Sequence, residues 1–470
     1  MPQLDPWRAL GELCRRSYYR FFKEFWETIE AVEFVDNWHI EFICNELQSV
    51  YERWAAGDRQ ADILINVPPG SSKSTMVTQL FPAWLWVQNP SIRVISSSYA
   101  ADLSIAHAVK TRDCILSDKF QACFPGLIEL KEDTKGKSHF KNTKKGERFT
   151  TSTGGRVVGM HADFIINDDP ISTEGAASQA DLKTAKRFCT TTLPSRKTNR
   201  KRSVTILVMQ RLHEEDPAGV MLSKADKKPV NHICLPAQKS EYIKPAHLAE
   251  KYVNDLLDTK RLDKESLDLI KIELGSLQYA NQYMQVSAPE DGEYWRREWF
   301  KVIPDAIFPE PEELDAYGTD WDTAETEKQT NDAVGFVTSG KKDGKMYIDK
   351  VGFTRKKFVD MVKFMAVMPS PHFVEAKSSG KSSVEVLKDY GIVAVETVVK
   401  GGDKVARTQN ATPPAEAGLV CIRESLISLL LDDDEQGIIK FPNNRHDDVN
   451  DALVQAIQRH FKRKKGWQIY

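Results

Sequence analysis

The stretch VPPGSSKST at residues 67–75 decides how the first half of the chain is interpreted. A phosphate-binding loop has the pattern G-x-x-x-x-G-K-[ST], in which a glycine-rich turn points backbone N–H groups at phosphate oxygens. With Lys73 and Ser74 in the last two positions, the glycine positions fall on Val67 and Ser72. The stretch is therefore either a phosphate loop that has lost its glycines or a surface turn in front of a core helix.

The flanking residues favour the phosphate loop. The run ADILINV at 61–67 has the length of a buried strand, and residues 74–87 repeat apolar side chains at helical spacing, although Pro82 interrupts them. Gly70 gives the turn one flexible position, and the two prolines before it stiffen its start. Strand, turn and helix thus follow in the required order, and the helix is expected to begin at residues 73–75.

Length and composition indicate an ordinary multidomain globular protein. A chain of 470 residues is too long for one core, so two or three domains are expected. With 41% hydrophobic and 28% charged residues, the chain has no apolar run near the ~18 residues of a membrane span, and its N-terminus lacks a signal-peptide pattern. The seven cysteines show neither metal-binding nor disulfide spacing, which is typical of a reducing compartment such as the cytosol.

Charge is balanced overall but unevenly placed. The formal net charge is −2, yet basic residues gather at 131–148, at 195–203 and in KRKK at 462–465. Such runs are most often solvated loops. They indicate a polyanionic partner only if another feature of the chain demands one.

A second nucleotide-binding signal lies in DFIINDDP at 163–170. Residues 164–166 predict a buried strand that ends at Asp168 and Asp169. ATPases with a phosphate loop place one carboxylate at a strand end to hold Mg²⁺, and a neighbouring carboxylate activates the attacking water. Acidic pairs also form ordinary turns, so this pair supports a nucleotide site only in combination with Lys73.

Further strands and helices alternate around these two motifs. Residues 92–107 predict a strand, a serine-rich turn and a helix, and residues 203–212 predict a strand that ends near Gln210. Such alternation indicates a mostly parallel sheet with ligands at the C-terminal ends of its strands. Val67, Asp168 and Gln210 are expected at that edge, which favours a working phosphate loop.

The last third of the chain carries three acidic clusters. Asp320 and Asp322 lie on one face of a predicted strand, since a strand returns to the same side every two residues. Glu375 ends another short strand, and Asp447 and Asp448 begin an amphipathic helix. A two-metal phosphodiesterase needs carboxylates of this kind to bind two divalent cations about 3.5–4 Å apart.

The order of elements around these clusters indicates the fold. Residues 332–353 show a hairpin pattern, with a Gly/Lys turn between two apolar runs. A strand meander, then strand and helix alternation, then a helix with an acidic start is the order of a ribonuclease-H-like fold.

Together the motifs resemble the large terminase subunit of tailed bacteriophages, the motor-nuclease that packages viral DNA. The resemblance covers nearly the whole chain, and its most specific stretches are ILINVPPGSSKST, ADFIINDDP, LVMQRLHEED, GTDWDTA, FVEAKSSGKS and FPNNRHDDVNDAL. The segment WHIEFICNEL at 38–47 also resembles the family segment that packs near the adenine. The resemblance implies an α/β chain: an ASCE-type P-loop NTPase, with a mostly parallel sheet and helices on both faces, followed by a ribonuclease-H-like nuclease domain.

The resemblance also implies roles for individual residues. Asp169 stands where the family has its catalytic acid. Many relatives have Glu at this position, and Asp is shorter than Glu by one methylene. Gln210 lies in the segment that couples hydrolysis to DNA movement. The expected ATP-binding residues are Trp38, Pro69, Gly70, Ser71, Ser72, Lys73, Ser74, Thr75 and Gln210, with Ser74 and Asp168 holding Mg²⁺. The expected ligands of two Mg²⁺ or Mn²⁺ ions in the nuclease are Asp320, Glu375, Asp447 and Asp448, with Asp320, Glu375 and Asp448 as catalytic residues and Asp322 and Asp451 in assisting roles.

The arginine finger is where this chain departs from the family pattern. Some relatives carry an arginine in the phosphate loop, where this chain has Pro69. Others present one to a neighbouring subunit from just before the acidic strand, where this chain has GGRVVGMHAD at 154–163. Arg156 is therefore the candidate catalytic finger, with Arg211 as the alternative, and it would stabilise charge on the γ-phosphate. Either arginine could instead form an ion pair within the chain or contact DNA.

The implied architecture is an ATPase domain at 1–290 with a helical lid-like region from about 214, a connector at 291–314 and a nuclease domain at 315–470. ATP hydrolysis would drive DNA into the procapsid, and the nuclease would cut the concatemeric genome. The implied partners are double-stranded viral DNA, contacted through the basic runs, the small terminase subunit, the portal protein and further copies of this chain in a ring, expected to be a pentamer. The expected location is the host cytoplasm, docked transiently on the portal, with no membrane association and no place in the mature virion.

Two alternatives from other functional classes stay open. One is a helicase-like translocase that tracks DNA without cutting it. The other is a transposase-type nuclease with a regulatory ATP site. A structural protein with inactive sites is a third interpretation, and the intact acidic sets in both halves of the chain argue against it.

Overall fold

The computed structural model describes residues 5–59, 61–176, 178–287, 294–322, 333–356, 358–375, 378–397, 404–442 and 446–461. The chain divides into two compact units. One is formed by Met1–Ile270 and Leu277–Glu290, and the other by Lys271–Ser276 and Asp291–Tyr470. The functional domain boundaries given above stay a prediction.

The first unit is built on an eight-stranded sheet. Its strands are β1 (Asp62–Asn66), β2 (Arg93–Ser98), β3 (Leu130–Lys135), β4 (His139–Asn142), β5 (Glu147–Ser152), β6 (Phe164–Asp168), β7 (Val204–Val208) and β8 (Val230–Cys234). The order across the sheet is β3-β4-β5-β2-β6-β7-β1-β8. All neighbours from β5 to β8 are parallel, and β3 and β4 pair antiparallel at one edge.

Helices cover both faces of this sheet. The helices of this unit are α1 (Pro6–Arg16), α2 (Tyr18–Phe25), α3 (Trp38–Ala56), α4 (Phe81–Gln88), α5 (Ala101–Leu116), α6 (Asp118–Cys123), α7 (Thr173–Ala176), α8 (Gln179–Arg187) and α9 (Pro217–Leu222), and α10 (Lys264–Gln282) belongs partly to each unit. Successive side chains of β1 point to opposite faces. Ile63 and Ile65 join a core with α1 to α5, while Leu64 joins another with α8 and α9. The predicted α/β class with a mostly parallel sheet is confirmed.

The predicted phosphate loop joins β1 to a helix, as its sequence pattern indicates. Strands β1 and β6 both pair with β7, which brings their C-terminal ends to one edge of the sheet. The helix begins at Lys73, widens into a π-helical turn over Thr75–Leu80 and continues as α4. Pro82, which interrupts the apolar pattern in the sequence, lies just after the π-helical turn.

A buried arginine supports this interrupted helix. Pro82 has no N–H to donate to the Thr78 carbonyl one turn earlier. That carbonyl accepts a hydrogen bond from Nη2 of Arg148 at 2.9 Å, and Nη1 of Arg148 donates to the Ser96 hydroxyl at 2.8 Å. Arg148 is only 1% exposed, and burial lowers its pKa to about 9.

Replacing Arg148 should destabilise the first unit. Arg148→Ala would leave a cavity and take away buried hydrogen bonds, so we expect the free energy of unfolding to fall by about 3 kcal/mol. Scanning calorimetry of the full chain measures this effect, with exposed Lys144→Ala as the control. An unchanged unfolding midpoint in Arg148→Ala would show that the helix does not depend on this contact.

Two segments of the first unit differ from expectation. The basic run at 131–148 is not a loop, because most of it lies in β3, β4 and the start of β5. The lid-like region from about 214 is not purely helical, since it contains β8, which pairs with β1 at the edge of the sheet. KRKK at 462–465 lies outside the described residues.

Two expectations from composition can be compared with the structure. All seven cysteines are free thiols with buried side chains, as their spacing predicts. Across the described ranges, no helix combines the length and the apolar character needed to cross a membrane.

The second unit contains a seven-stranded mixed sheet. Its strands are β9 (Lys301–Ile303), β10 (Asp315–Asp322), β11 (Val334–Lys342), β12 (Lys345–Thr354), β13 (His372–Glu375), β14 (Ala394–Thr397) and β15 (Val420–Arg423), and its helices are α11 (Phe358–Ala366), α12 (Ser378–Asp389), α13 (Lys404–Glu416) and α14 (Asp448–Phe461). The sheet order is β14-β13-β10-β11-β12-β15-β9. The predicted hairpin is β11 and β12, and β9 lies inside the stretch predicted as a connector.

The five strands from β10 to β14 confirm the ribonuclease-H-like prediction. Counted along the chain from β10, the first three strands form an antiparallel meander, and β13 and β14 then add in parallel on the other side of β10. Helix α14 starts close against β11, because a Cβ on Gly335 would meet the Asp448 backbone at 2.3 Å. Every residue of α14 from Val449 to Ile457 is buried, so the polar side of this amphipathic helix is covered over this stretch as well as its apolar side.

Candidate active sites

The phosphate loop keeps the required backbone shape without its two glycines. Gly70 (φ 78°) and Ser72 (φ 60°) both adopt the left-handed conformation, which is strained for serine. The hydroxyl of Ser71 donates to the Pro68 carbonyl at 2.7 Å and closes the turn. The loop therefore reproduces at Ser72 the conformation that a consensus glycine would supply.

Lys73 projects from the loop onto the acidic strand end. Its Nζ lies 2.7 Å from Oδ2 of Asp169, and its side chain is 10% exposed. Asp169 follows β6 with φ 43°, and its N–H donates to the Val208 carbonyl of β7 at 2.9 Å. Burial and the neighbouring Asp168 raise the pKa of Asp169, while Lys73 opposes the shift. The structure thus brings the predicted lysine and the predicted catalytic acid together.

Asp168 fits a magnesium site. Its Oδ2 accepts a hydrogen bond from the Thr78 hydroxyl at 2.7 Å, and Ser74 also donates to its carboxylate. Its Oδ1 is buried and accepts no hydrogen bond from any described residue. Burial raises the pKa of Asp168, and a buried carboxylate oxygen without a hydrogen bond, such as this Oδ1, is costly. Asp168 and Ser74 are therefore the residues here that would hold Mg²⁺, directly or through water.

Two histidines at this site have no signal in the sequence pattern. Nε2 of His39 on α3 lies 3.2 Å from the Ser71 carbonyl, and Nε2 of His107 on α5 lies 3.6 Å from Oδ2 of Asp168. Burial lowers the pKa of both imidazoles to about 4, so both are neutral at pH 7. They contact the loop and the acidic end of β6. Only this packing, and nothing in the sequence, distinguishes them from ordinary core histidines.

The remaining predicted nucleotide residues lie around the loop in different settings. Trp38 begins α3, with its ring 5.7 Å from that of Tyr252, and its indole N–H is buried with no acceptor among the described residues. Thr75 lies in the π-helical turn after Lys73. The Gln210 backbone N–H donates to the Asp169 carboxylate, which links the segment after β7 to the acidic pair.

The two candidate fingers differ in their surroundings. Arg211 is already paired within its own chain. Its Nε lies 3.1 Å from Oδ2 of Asp216, and its Nη2 donates to the His213 carbonyl and the Ser287 hydroxyl. Arg156 is exposed on the turn after β5. Arg211 therefore matches the interpretation as an internal ion pair, and Arg156 stays available to another molecule.

The second unit gathers carboxylates around two cations of α13. Nζ of Lys404 lies 2.6 Å from Oδ1 of Asp447 and 3.2 Å from Oδ2 of Asp451. Nη1 of Arg407 lies 3.1 Å from Oε1 of Glu375, and its Nη2 lies 3.8 Å from Oδ2 of Asp451. Burial lowers the pKa of Lys404, but the nearby carboxylates, including Asp322, outweigh burial. The pKa of Lys404 is therefore raised overall. Glu375, Asp447, Asp451 and Asp322 thus form one acidic centre.

Asp320 and Asp448 face other partners. Asp320 is fully buried and accepts hydrogen bonds from Nε and Nη2 of Arg459 at 3.0 and 2.7 Å, and burial raises its pKa to about 6. Asp448 accepts a hydrogen bond from Nε2 of Gln436 at 2.8 Å. Burial raises the pKa of Asp448, Asp447 raises it further and Lys404 lowers it, so Asp448 lies beside the acidic centre. Asp322 and Asp451, predicted only in assisting roles, lie at this centre too.

In the described part of the chain, the acidic centre offers carboxylates but no grouped set of metal ligands. Its carboxylates have the chemistry that Mg²⁺ and Mn²⁺ prefer. Within the described ranges, however, no three of His, Cys, Asp and Glu are grouped so that they could hold one ion. Lys404 and Arg407 instead form ion pairs with these carboxylates.

Comparisons with known proteins bear on the fold. No family model matches the sequence, and no curated protein matches it. The large terminase of a thermophilic bacteriophage is 12% identical with a TM-score of 0.43, over 81% of this chain and 87% of that one, and its complex with ADP gives the same values. The HK97 bacteriophage large terminase is 11% identical with a TM-score of 0.37, over 88% and 91%. Solved structures similar to this chain therefore include large terminases, the family that its motifs resemble.

Proposed function

We propose that the chain is the ATP-hydrolysing and DNA-cutting subunit of a viral DNA-packaging motor. The observation that carries the ATPase part is the contact between Lys73 on the phosphate loop and Asp169 at the end of β6, at 2.7 Å. A lysine on such a loop binds the β- and γ-phosphates, and a carboxylate next to it can take a proton from water. This pair must separate when a nucleotide enters, because the phosphates would take over the lysine.

Each residue of the first site then has a defined part in hydrolysis. Backbone N–H groups of the loop and the Lys73 ammonium bind the phosphate chain. Asp169 accepts a proton as the water oxygen bonds to the γ-phosphorus and the bond from that phosphorus to the bridging oxygen breaks, which yields ADP and phosphate. Mg²⁺, held through Asp168 and Ser74, supplies charge neutralisation on the phosphate oxygens.

Removing the charge of Asp169 tests this assignment. We expect Asp169→Asn to retain nucleotide binding, because the loop and Lys73 are intact, and to lose turnover by about 10²–10⁴-fold. Equilibrium binding of a fluorescent ATP analogue and phosphate release measure the two effects. If Asp169→Asn hydrolyses ATP at the normal rate, Asp169 is not the base, and the exposed Glu174 on α7 is the next carboxylate to test.

The nuclease part rests on the acidic centre of the second unit. Glu375, Asp447, Asp451 and Asp322 come from two strands and a helix and form a strongly anionic cluster. We assign to it metal-dependent cutting of double-stranded DNA, in which these carboxylates would hold Mg²⁺ or Mn²⁺.

The proposed partners follow from the motor function. They are double-stranded viral DNA, the small terminase subunit, the procapsid portal and a ring of this chain, proposed as a pentamer in the host cytoplasm. The basic run at 195–203 can supply only part of a DNA surface. Lys197 pairs with Asp62 at 2.6 Å, and the Arg202 guanidinium lies 4.1 Å from the Trp54 ring centroid, so these two cations stabilise the fold.

A further inference from the structure

A third arginine, which belongs to no motif in the sequence, lies against the phosphate loop. Nη1 of Arg261 donates to the Ser72 hydroxyl at 2.9 Å, although the two residues are 189 positions apart in the chain. Ser72 is the residue before Lys73 and holds one of the two left-handed conformations of the loop. The Arg261 side chain is 21% exposed, so its guanidinium is partly shielded from water.

Asp258 fixes the orientation of this guanidinium. Its Oδ2 lies 2.6 Å from Nε of Arg261, and Asp258 is only 2% exposed. Its Oδ1 accepts the backbone N–H groups of Lys260 and Arg261 at 3.0 and 3.2 Å, which holds the carboxylate in place. A rigid carboxylate on the Nε side leaves the far end of the guanidinium pointing to the loop.

One end of Arg261 is left without an acceptor. Its Nη2 is buried and donates to no described residue. A buried unpaired guanidinium N–H is costly, and an oxygen that enters the loop would relieve this cost. The oxygens that such a loop receives are those of phosphate.

We infer that Arg261 is an arginine finger that acts on the nucleotide of its own chain. The inference rests on the proposed ATPase function and extends it to a group in the lid-like region. The ligand class is a nucleoside triphosphate, whose terminal phosphates would accept hydrogen bonds from Nη2 and Nη1. Arg261 would supply the cation that some relatives carry where this loop has Pro69, whereas Arg211 is already paired with Asp216.

Substitution of Arg261 should separate binding from turnover. We expect Arg261→Ala to bind ADP within about threefold of wild type and to hydrolyse ATP about 10³-fold more slowly, because the charge of the transition state is lost. Arg261→Lys, which keeps the charge without the planar fork, should recover only part of the rate. The matched control is Lys260→Ala, which removes the adjacent exposed cation and should leave both quantities unchanged.

The outcomes distinguish the inference from the function on which it rests. Normal hydrolysis by Arg261→Ala would overturn the inference while leaving the ATPase proposal intact. Equal loss of ADP binding and hydrolysis would make Arg261 a support of the loop and would also overturn it. A wild-type full-length chain that binds no nucleotide would instead overturn the proposed function together with the inference.

Mixed subunits test whether the arginine acts within one chain. Arg261→Ala and Lys73→Ala subunits, each inactive alone, should stay inactive when mixed, because no chain in the mixture carries both intact residues. Recovery of ATP hydrolysis in this mixture would show action across a subunit interface and contradict the inference. The same mixture with Arg156→Ala in place of Arg261→Ala tests the exposed Arg156 as a finger in trans.

Discussion

Lys73→Ala is expected to reduce ATP hydrolysis by about 10³-fold or more. The change removes the positive charge that binds the β- and γ-phosphates. It also removes the 2.7 Å partner of Asp169, so the carboxylate and the phosphates would repel each other. Phosphate release by the full-length chain, with and without double-stranded DNA, measures the loss.

A matched lysine shows whether the effect is specific. Lys183 on α8 is exposed, and Lys183→Ala should retain the full rate. The unfolding midpoint of Lys73→Ala should fall in the absence of nucleotide, because the substitution leaves the partly buried Asp169 carboxylate without its cation. Hydrolysis at a near-normal rate by Lys73→Ala would mean that residues 67–75 form a surface turn rather than a phosphate loop.

Glu375→Gln is expected to stop DNA cleavage, by about 10²-fold or more, and to leave ATP hydrolysis unchanged. The change removes one negative charge from the acidic centre and leaves Arg407 facing a neutral amide in place of its 3.1 Å carboxylate partner. Plasmid nicking in Mg²⁺ and in Mn²⁺ measures cleavage, and exposed Glu385→Gln on α12 is the control. Equal loss of both activities in Glu375→Gln would mean that the two sites are not independent.

Asp320 offers a second test in the same unit. Asp320→Ala should also stop cleavage while leaving ATP hydrolysis intact, but for a different reason than a lost metal ligand. The substitution would leave the buried guanidinium of Arg459 without its carboxylate, so the unfolding midpoint of the second unit should fall as well. Lost cleavage with unchanged stability would favour the original assignment of Asp320 as a ligand.

Local patterns were sufficient to predict the elements that carry the nucleotide site. The apolar run before residue 67, the helical spacing after residue 73 and the acidic end of β6 are all short-range signals. Parallel pairing of β1, β7 and β6 then follows from the alternation of strands and helices. The placement of the phosphate loop and the acidic pair at one edge of the sheet was therefore accessible from sequence.

Contacts set by packing were not accessible in this way. Arg261 reaches Ser72 from a segment without a motif, and Arg148 looks like one more cation in a basic run. Asp320 and Asp322 share a strand face as predicted, but the packing of α14 decides that Arg459 meets Asp320. Side-chain partners across distant elements depend on how those elements pack. The spacing of apolar residues, every two in a strand or every 3.6 in a helix, does not predict this packing.

A structure of the full-length chain with a non-hydrolysable ATP analogue and Mn²⁺ tests the central claim most directly. The anomalous signal of Mn²⁺ would locate the metal independently of the nucleotide. The account predicts the terminal phosphates on Lys73, with Nη2 of Arg261 as a further donor and Mn²⁺ beside Asp168 and Ser74. A nucleotide bound away from residues 67–75, or a metal ion remote from Asp168, would contradict it.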